Sequence, residues 1–518
     1  KDIRLVGTPP QSAGKFGGDS DNWEWPRHTA DFSMFRVYAG GDNKPADFSD
    51  ANVPMKPRHS LPISLKGVKQ GDYAMIMGFP GRTNRYLTSY GVDQAISLEQ
   101  PKIVDIRAKK LEIMKKYMDQ DVEVRLHYSS KYAQVANYWK YFIGQTKQLK
   151  ANNVADKKRK IEEEFTKYAK GKDEYTNVLA DIESAFKATN DIIYIKVYHS
   201  EFVRQVDLNS VAYYYKLALD AKNAGNEERY NMILGVAQET AAEIYAERSM
   251  DIELETLEEV LKMYIRDIPV NQQVGITKSI GADGVAAFMS RIKTNSIFAS
   301  KERYEAFMKN FDAEKLSQDP LFILIKDLDN AYQAAMSQDV VKTANARLTV
   351  ANRALVKGIR EMQPTKKFYP NANSTMRLTY GNVLAYDPRD GVHYDYFTTL
   401  DGVMQKEDPT NPEFVVDPRI KELWMKKDYG QYGTNGKLHV NFLSNNDITG
   451  GNSGSPVINA NGELIGTAFD GNWEAMSGDI YFEPSLQRTI SCDIRYVLWL
   501  IDKCYGATNL VNEMKLVK

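Results

Sequence analysis

Apolar residues recur at two different periods along the 518-residue chain. From about residue 102 to 362 they return every third or fourth position, as in KKRKIEEEFTKYAKG and SVAYYYKLALDAK, the spacing of one helix face. On either side the pattern shortens toward alternation, which predicts strands. DFSMFRVYAG, DYAMIMGFPG and NRYLTSYG precede the helical stretch, and STMRLTYGNVLAYD, KLHVNFLS, GSPVINANGELIGTAF and GDIYFEP follow it. Proline supports the division: nine of 19 lie in residues 1–101 and nine in 320–518, and between them stands only Pro269, as long uninterrupted helices require. Thr256 with Glu259 predicts a capping box, and Asp319-Pro320 a helix start leading to one helix or two that end near Met362, ahead of Pro364. Asn461-Gly462 predicts a hairpin. No repeat of fixed period suggests a solenoid. A chain of this length exceeds one hydrophobic core. Short strands with Gly and Pro turns then predict an α+β, multi-domain protein whose β units are barrels or sandwiches split by a helical insertion.

Charge narrows the partners little. There are 67 basic and 68 acidic side chains, a net charge of -1, and no long block of one sign, so neither nucleic acid nor a membrane surface is indicated. No run approaches the roughly 18 apolar residues of a membrane span, and KDIRLVGTPP has no signal-peptide layout. A cytoplasmic protein, or one whose beginning lies outside this sequence, is expected. Without a His-Glu-x-x-His or a cysteine cluster, no metal and no cofactor is expected. Cys492 and Cys504 flank DIRYVLWLIDK, read as a helix closed by Gly506. Twelve helical residues hold them roughly 18 Å apart, too far for a disulfide, so both are read as buried thiols.

One stretch carries chemistry. TGGNSGSPVINANGELIGTAFDG, residues 449–471, sets Ser453 among glycines ahead of the hairpin. Those glycines permit a tight turn that aims backbone N–H groups of Gly451 and Ser453 at one point, as an oxyanion demands. The hydrolase elbow G-x-S-x-G fails because residue 455 is serine, and a Walker loop fails for want of Gly-Lys-Ser/Thr. On the motif alone, a plain loop is an equal reading.

GNSGSP followed by a hairpin and a C-terminal helix resembles the chymotrypsin-like serine proteases. GKFGGDSDNWEWPRHTADFSMFRVY, MGFPGRTNRYLTSYG, ANYWKYFIGQ, YPNANSTMRLTYG and FLSNNDITGGNSGSPV together resemble the bacterial dipeptidyl-peptidases 7 and 11 across essentially the whole chain. The resemblance implies a chymotrypsin-like double β-barrel with a large inserted all-α domain. Residues 1–97 would be the remainder of an incomplete first barrel, 98–366 a helical cap, and 367–518 the second barrel with a C-terminal helix. It implies Ser453 as nucleophile and Asp31 as the aspartate that orients an imidazole. Asn22, Trp23 and Asp470 would hold the substrate's free amino terminus, through charge-assisted hydrogen bonds and an aromatic stop. It further implies an oligopeptide substrate, a homodimer, and a periplasmic or cell-surface setting in a Gram-negative bacterium. Hinges are expected near residues 95–101 and 364–370.

The histidine is the gap. None of His28, His59, His127, His199, His393 and His439 stands in the family's catalytic context, which the resemblance places upstream of DIRLV. His28 and His439 read as structural. The chain by itself is therefore expected to be nearly inert, with its own cleaved N-terminal segment as one possible partner. Gly471 stands where the resemblance puts an arginine in the enzymes preferring Asp or Glu at the second substrate residue. An apolar or aromatic second residue is expected instead. Three alternatives stay open: an acidic preference, a non-catalytic peptide-binding pseudo-peptidase, and a helical block that serves as a docking scaffold.

Overall fold

In the computed structural model, which describes residues 1–281 and 284–518, the chain forms two compact units. One comprises Lys1–Arg85 with Tyr369–Lys518, the other Tyr86–Phe368.

The first unit holds the strands β1 (Asp2–Gly7), β2 (Met34–Ala39), β3 (Val53–Pro54), β4 (Ile63–Ser64), β5 (Tyr73–Gly78), β6 (Arg377–Asn382), β7 (Tyr386–Arg389), β8 (Val392–Tyr394), β9 (Phe397–Thr399), β10 (His439–Ser444), β11 (Ser455–Ile458), β12 (Leu464–Gly471), β13 (Thr489–Asp493) and β14 (Leu516–Val517). β1, β2 and β3 make an antiparallel sheet in which Ile3 faces Val37 and Leu5 faces Phe35. A nine-stranded sheet runs β6-β5-β11-β12-β13-β10-β9, with β4 joining β12 and β14 in parallel. Alternation places Ala74, Ile76, Val383, Phe442, Val457, Ile465 and Ala468 in one apolar cluster. The helix Ile494–Trp499 buries Trp499 against Leu438, Val440 and Tyr496.

β5 pairs with β11 and β6, so it belongs with the sheet that carries Ser453, not with the first β unit in which the sequence reading grouped it. Gly78 faces Arg377 in register. The helical segment thus enters between two adjacent antiparallel strands, where a hairpin loop would otherwise stand. An insertion there leaves every ladder bond of the sheet in place.

Tyr86–Phe368 is helical from Ser89, earlier than the 97/98 boundary expected from sequence. The helix Ser89–Gln94 passes through a π-turn at Ala95–Glu99 into Gln100–Met118. Pro101 lacks an amide hydrogen and would clash with the carbonyl four residues back, and the wider π-turn absorbs both. A continuous helical run therefore occupies residues 95–101, where a hinge was expected. NRYLTSYG is a turn entering that helix, and GDIYFEP is a turn as well, since neither finds a strand partner. Thr256 and Glu259 lie inside the helix Met250–Asp267, so they form no cap. Asp319 does cap: its carboxylate accepts Leu321 N at 2.9 Å and Phe322 N at 3.0 Å, opening Pro320–Ser337, and a second helix, Asp339–Met362, follows. The unit's core gathers Tyr198, Leu208, Val211, Tyr215, Leu257 and Phe298. No described helix is long and apolar enough to cross a membrane.

Candidate active site

Ser453 sits in the turn between β10 and β11. Gly454 N donates to Ala468 O at 2.8 Å, and the exposed Ser453 Oγ donates to Phe469 O at 3.3 Å. Asn452 is buried beneath, where its Oδ1 accepts Thr449 N at 3.2 Å and its N donates to Thr449 O at 3.0 Å. Gly451 has φ 103°, the left-handed half of backbone space, and a Cβ there would be driven into the Phe79 carbonyl. Gly78 is required for a similar reason: its Cβ would stand 2.5 Å from Asn452 Nδ2. Among the described residues, the backbone N–H groups of Gly451 and Ser453 have no protein acceptor. Two adjacent donors are thus open beside an exposed hydroxyl.

β12 breaks register with β13 between Ala468 and Asp470. Such a bulge re-aims the side chains that follow it. Here it presents the Phe469 carbonyl to Ser453 and turns Asp470 inward. The Asp470 carboxylate accepts Arg27 Nη1 at 2.7 Å, Trp23 N at 3.1 Å and Gly471 N at 2.9 Å. Trp23 has φ 61°, costly for a non-glycine residue, and its amide is pinned by that carboxylate 447 residues away. A Cβ at Gly471 would lie 3.6 Å from the Trp23 ring and 3.1 Å from Ala475 Cβ. Asn22 is half-buried beside Trp23. The structure therefore brings Trp23, Asp470, Gly471 and Ser453 to one end of β12.

Asp31 precedes β2 and opens to solvent on one side. The protein around its carboxyl nonetheless raises its pKa, mainly by desolvation, with Arg27 opposing and Asp470 adding. The same carboxylate helps to raise the buried Cys492 thiol, after burial and Asp493. Asp31 thus lies within electrostatic reach of Arg27, Asp470 and Cys492. Both cysteines are free and buried, as expected, but Cys492 stands on β13 rather than in a helix.

Arg27 escaped the sequence reading. Its buried guanidinium pairs with Asp470, bonds Asp21 O at 3.0 Å and Thr29 Oγ1 at 3.0 Å, and lies 5.1 Å from the Phe469 ring centroid. Nearby, Lys406 Nζ bonds Asp21 Oδ2 at 2.7 Å and Pro26 O at 2.8 Å. A charged side chain is almost never fully buried unless paired, so the burial of Arg27 calls for a carboxylate nearby. Nothing in the sequence says which.

The imidazoles are otherwise engaged. His199 and His393 pair with Asp329 and Asp387, His59 and His127 are exposed, and His28 is buried and His439 half-buried, each with a buried Nδ1 lacking a partner. Among the described residues none bonds Ser453 or Asp31. Burial, then the charges of Lys406 and Arg27, push the His28 pKa down to about 3. An imidazole that stays neutral until such acidity is a poor base at neutral pH. Its ring packs against Gly402, where it leaves no room for a Cβ.

That burial predicts a pH effect on stability. The folded state keeps His28 neutral, whereas the unfolded chain takes up a proton below 6.5. Stability from this site is complete above pH 6.5 and declines as pH falls toward 3, by at most about 1.4 kcal/mol per pH unit. Urea melts of wild type and His28→Phe at pH 7 and pH 4.5 check it. The variant should lose less stability on acidification, and equal losses would refute the linkage.

The family described as Peptidase S46 matches residues 1–516. The dipeptidyl-peptidase 7 of Phocaeicola vulgatus is 41% identical over 529 residues, covering 100% of this chain and 72% of the relative. The Asp/Glu-specific dipeptidyl-peptidase of Capnocytophaga gingivalis is 39% identical, covering 100% and 74%. The crystal structure of Porphyromonas endodontalis DPP11 in complex with the dipeptide Arg-Glu superposes with a TM-score of 0.88 at 34% identity, over 100% of this chain and 75% of that one. By this family match and these similarities, the chain belongs to Peptidase S46, a family of serine dipeptidyl-peptidases.

Proposed function

We propose that Ser453 attacks the second peptide bond of an oligopeptide whose free amino terminus is held by Asn22, Trp23 and Asp470, releasing dipeptides with an apolar or aromatic second residue. The carrying observation is the bulge in β12: Ser453 Oγ meets the carbonyl of Phe469, and the next residue, Asp470, anchors Trp23. Two extended residues span about 7 Å, so a clamp this close to the nucleophile suits a two-residue cut. The hydroxyl proton passes to an imidazole that Asp31 orients. The Gly451 and Ser453 amides then receive the oxyanion, the shortened peptide leaves as an amine, and water releases the dipeptide from Ser453. The imidazole on this reading comes from outside residues 1–518, since the six histidines within are otherwise placed. The setting we propose is the periplasm or cell surface of a Gram-negative bacterium, and the assembly a homodimer.

A double-barrel fold is part of this reading. In favour of a rolled second barrel, Val383 bridges Ser444, and Asn445 N donates to Asn382 O at 3.0 Å, joining β6 at one end of the strand order to β10, the last strand but one at the other. The β1-β2-β3 sheet would belong to the first.

Acetylating the substrate amine provides the test. The intact enzyme should release dipeptides from a free peptide and almost none from its acetylated twin; equal rates would remove the clamp from the mechanism.

Gly471 bears on specificity. Ala475 and the Trp23 ring stand around it, and the nearby guanidinium of Arg488 is spent on the carbonyls of Leu384, Ala385, Pro484 and Gln487. Among the described residues beside Gly471 no free cation is offered to an acidic second residue, so an apolar one fits better. Gly471→Arg should raise the kcat/KM ratio for acidic over apolar second residues by at least tenfold, about 1.4 kcal/mol. An unchanged ratio would detach Gly471 from the specificity pocket.

A further inference from the structure

We infer that Arg85 is a positioning residue which holds the nucleophile turn in its working shape through a bidentate pair with Asp447. The inference rests on Ser453 being the nucleophile and on the Gly451 and Ser453 amides serving the oxyanion. Arg85 Nη1 and Nη2 each donate to one Asp447 oxygen at 2.7 Å, and Nε donates to Gly478 O at 2.5 Å. One planar fork thereby ties the start of the 447–453 segment to the 478–482 turn, a geometry lysine cannot reproduce.

Neighbouring bonds converge on the same turn. Gly81 N donates to Gly450 O at 2.7 Å, and the Phe79 carbonyl lies against Gly451. Thr449 Oγ1 donates to Asp479 Oδ1 at 2.5 Å, while Asn84 N donates to Asp479 O at 2.6 Å. Asn371 Oδ1 accepts Arg85 N at 2.8 Å. Residues 79–85 therefore brace the turn along its length, and Arg85 adds a bidentate guanidinium pair to it.

The physics separates positioning from mere stability. The Arg85 and Asp447 side chains keep 15% and 30% of their surface and border a cavity of ≈ 380 Å³, so water screens the pair only in part and removing one partner costs some stability. Its geometric effect is larger. Amides that bind an oxyanion must stand about 2.7–3.1 Å from it, and displacing reacting groups by about 1 Å costs on the order of 100-fold in rate.

The test uses the intact, active protein with Arg85→Ala, Arg85→Lys, Asp447→Ala and the double alanine variant. Turnover of a dipeptidyl reporter is measured beside covalent labelling of Ser453 by a fluorophosphonate and thermal melting. Arg85→Ala should lower kcat and the labelling rate at least tenfold, with KM nearly unchanged and the protein still folded at the assay temperature. Arg85→Lys should recover only part, and the double variant should be no worse than either single one. Unchanged labelling in Arg85→Ala would overturn the inference, as would additive losses or a loss matched by the unfolded fraction. Should wild type itself fail to label at Ser453, the nucleophile assignment falls instead.

Discussion

In the intact enzyme, which includes the imidazole base, Ser453→Ala is expected to lower dipeptide release by about a million-fold while leaving the fold intact, because removing the nucleophile of a triad costs nearly as much as removing the triad. The structure explains why the fold should survive. Ser453 is exposed, and its hydroxyl makes one hydrogen bond, to the Phe469 carbonyl at 3.3 Å, near the long end for an O–H donor. The turn is held instead by Asn452, by Gly454 N on Ala468 O, and by the contacts of Gly451 with Phe79. Substrate affinity should also persist, since the clamp at Trp23 and Asp470 does not use the hydroxyl. The check is single-turnover kinetics with a dipeptidyl reporter, beside binding of the same peptide by calorimetry. Residual turnover within a hundredfold of wild type would point to another nucleophile.

Asp31→Asn should cost on the order of ten-thousand-fold in kcat, the scale on which the wrong imidazole tautomer suppresses a triad. Its carboxyl is raised by desolvation, and the neighbouring Asp470 adds to that, while Arg27 pulls the other way. The anion is the working form, so activity is present above the Asp31 pKa and lost as pH falls through it. Because that pKa is raised, the carboxyl's part of the acid limb of the pH–rate profile should begin above the ordinary carboxylate range, beside the limb of the imidazole base. Asp31→Asn has no carboxyl to protonate, so its small residual activity should keep the imidazole's limb and lack the carboxyl's. The measurement is kcat/KM from pH 4 to 8 for both proteins, read with a substrate whose second residue is uncharged. A limb of equal position in the variant would move the titration to another group, and a loss under tenfold would remove Asp31 from the triad.

How far the sequence reaches is clearest at particular residues. Period alone separated helical from extended chain, and Asp319-Pro320, the Asn461-Gly462 hairpin and the helix pair ending at Met362 follow from local chemistry. Where tertiary partners decide, the reading slipped. Pro101 reads as a break, yet a π-turn carries the helix past it. Strand β5 reads with the segment before it in the chain, yet it pairs across an insertion with β6 and β11. NRYLTSYG alternates like a strand, but its Arg85 side chain is taken by Asp447 and no strand lies beside it.

The site divides in the same way. Ser453 and Gly451 could be named from one short motif, because a tight glycine turn and an exposed hydroxyl are local features, whereas Asp31, Asn22, Trp23, Asp470 and Gly471 could be named only through the resemblance to a family. What the motifs could not hold is which distant groups meet: Arg27 with Asp470 across 443 residues, and Arg85 with Asp447 across 362. The sequence by itself determined the elements and the reactive turn, since hydrogen bonds within a few residues and the spacing of apolar side chains are local. Only the tertiary structure decided the bulge at Phe469, the charge partners of Asp470 and the bracing of the turn that carries Ser453. Ion pairs and strand registers between remote segments are chosen by packing, which no short stretch of sequence contains.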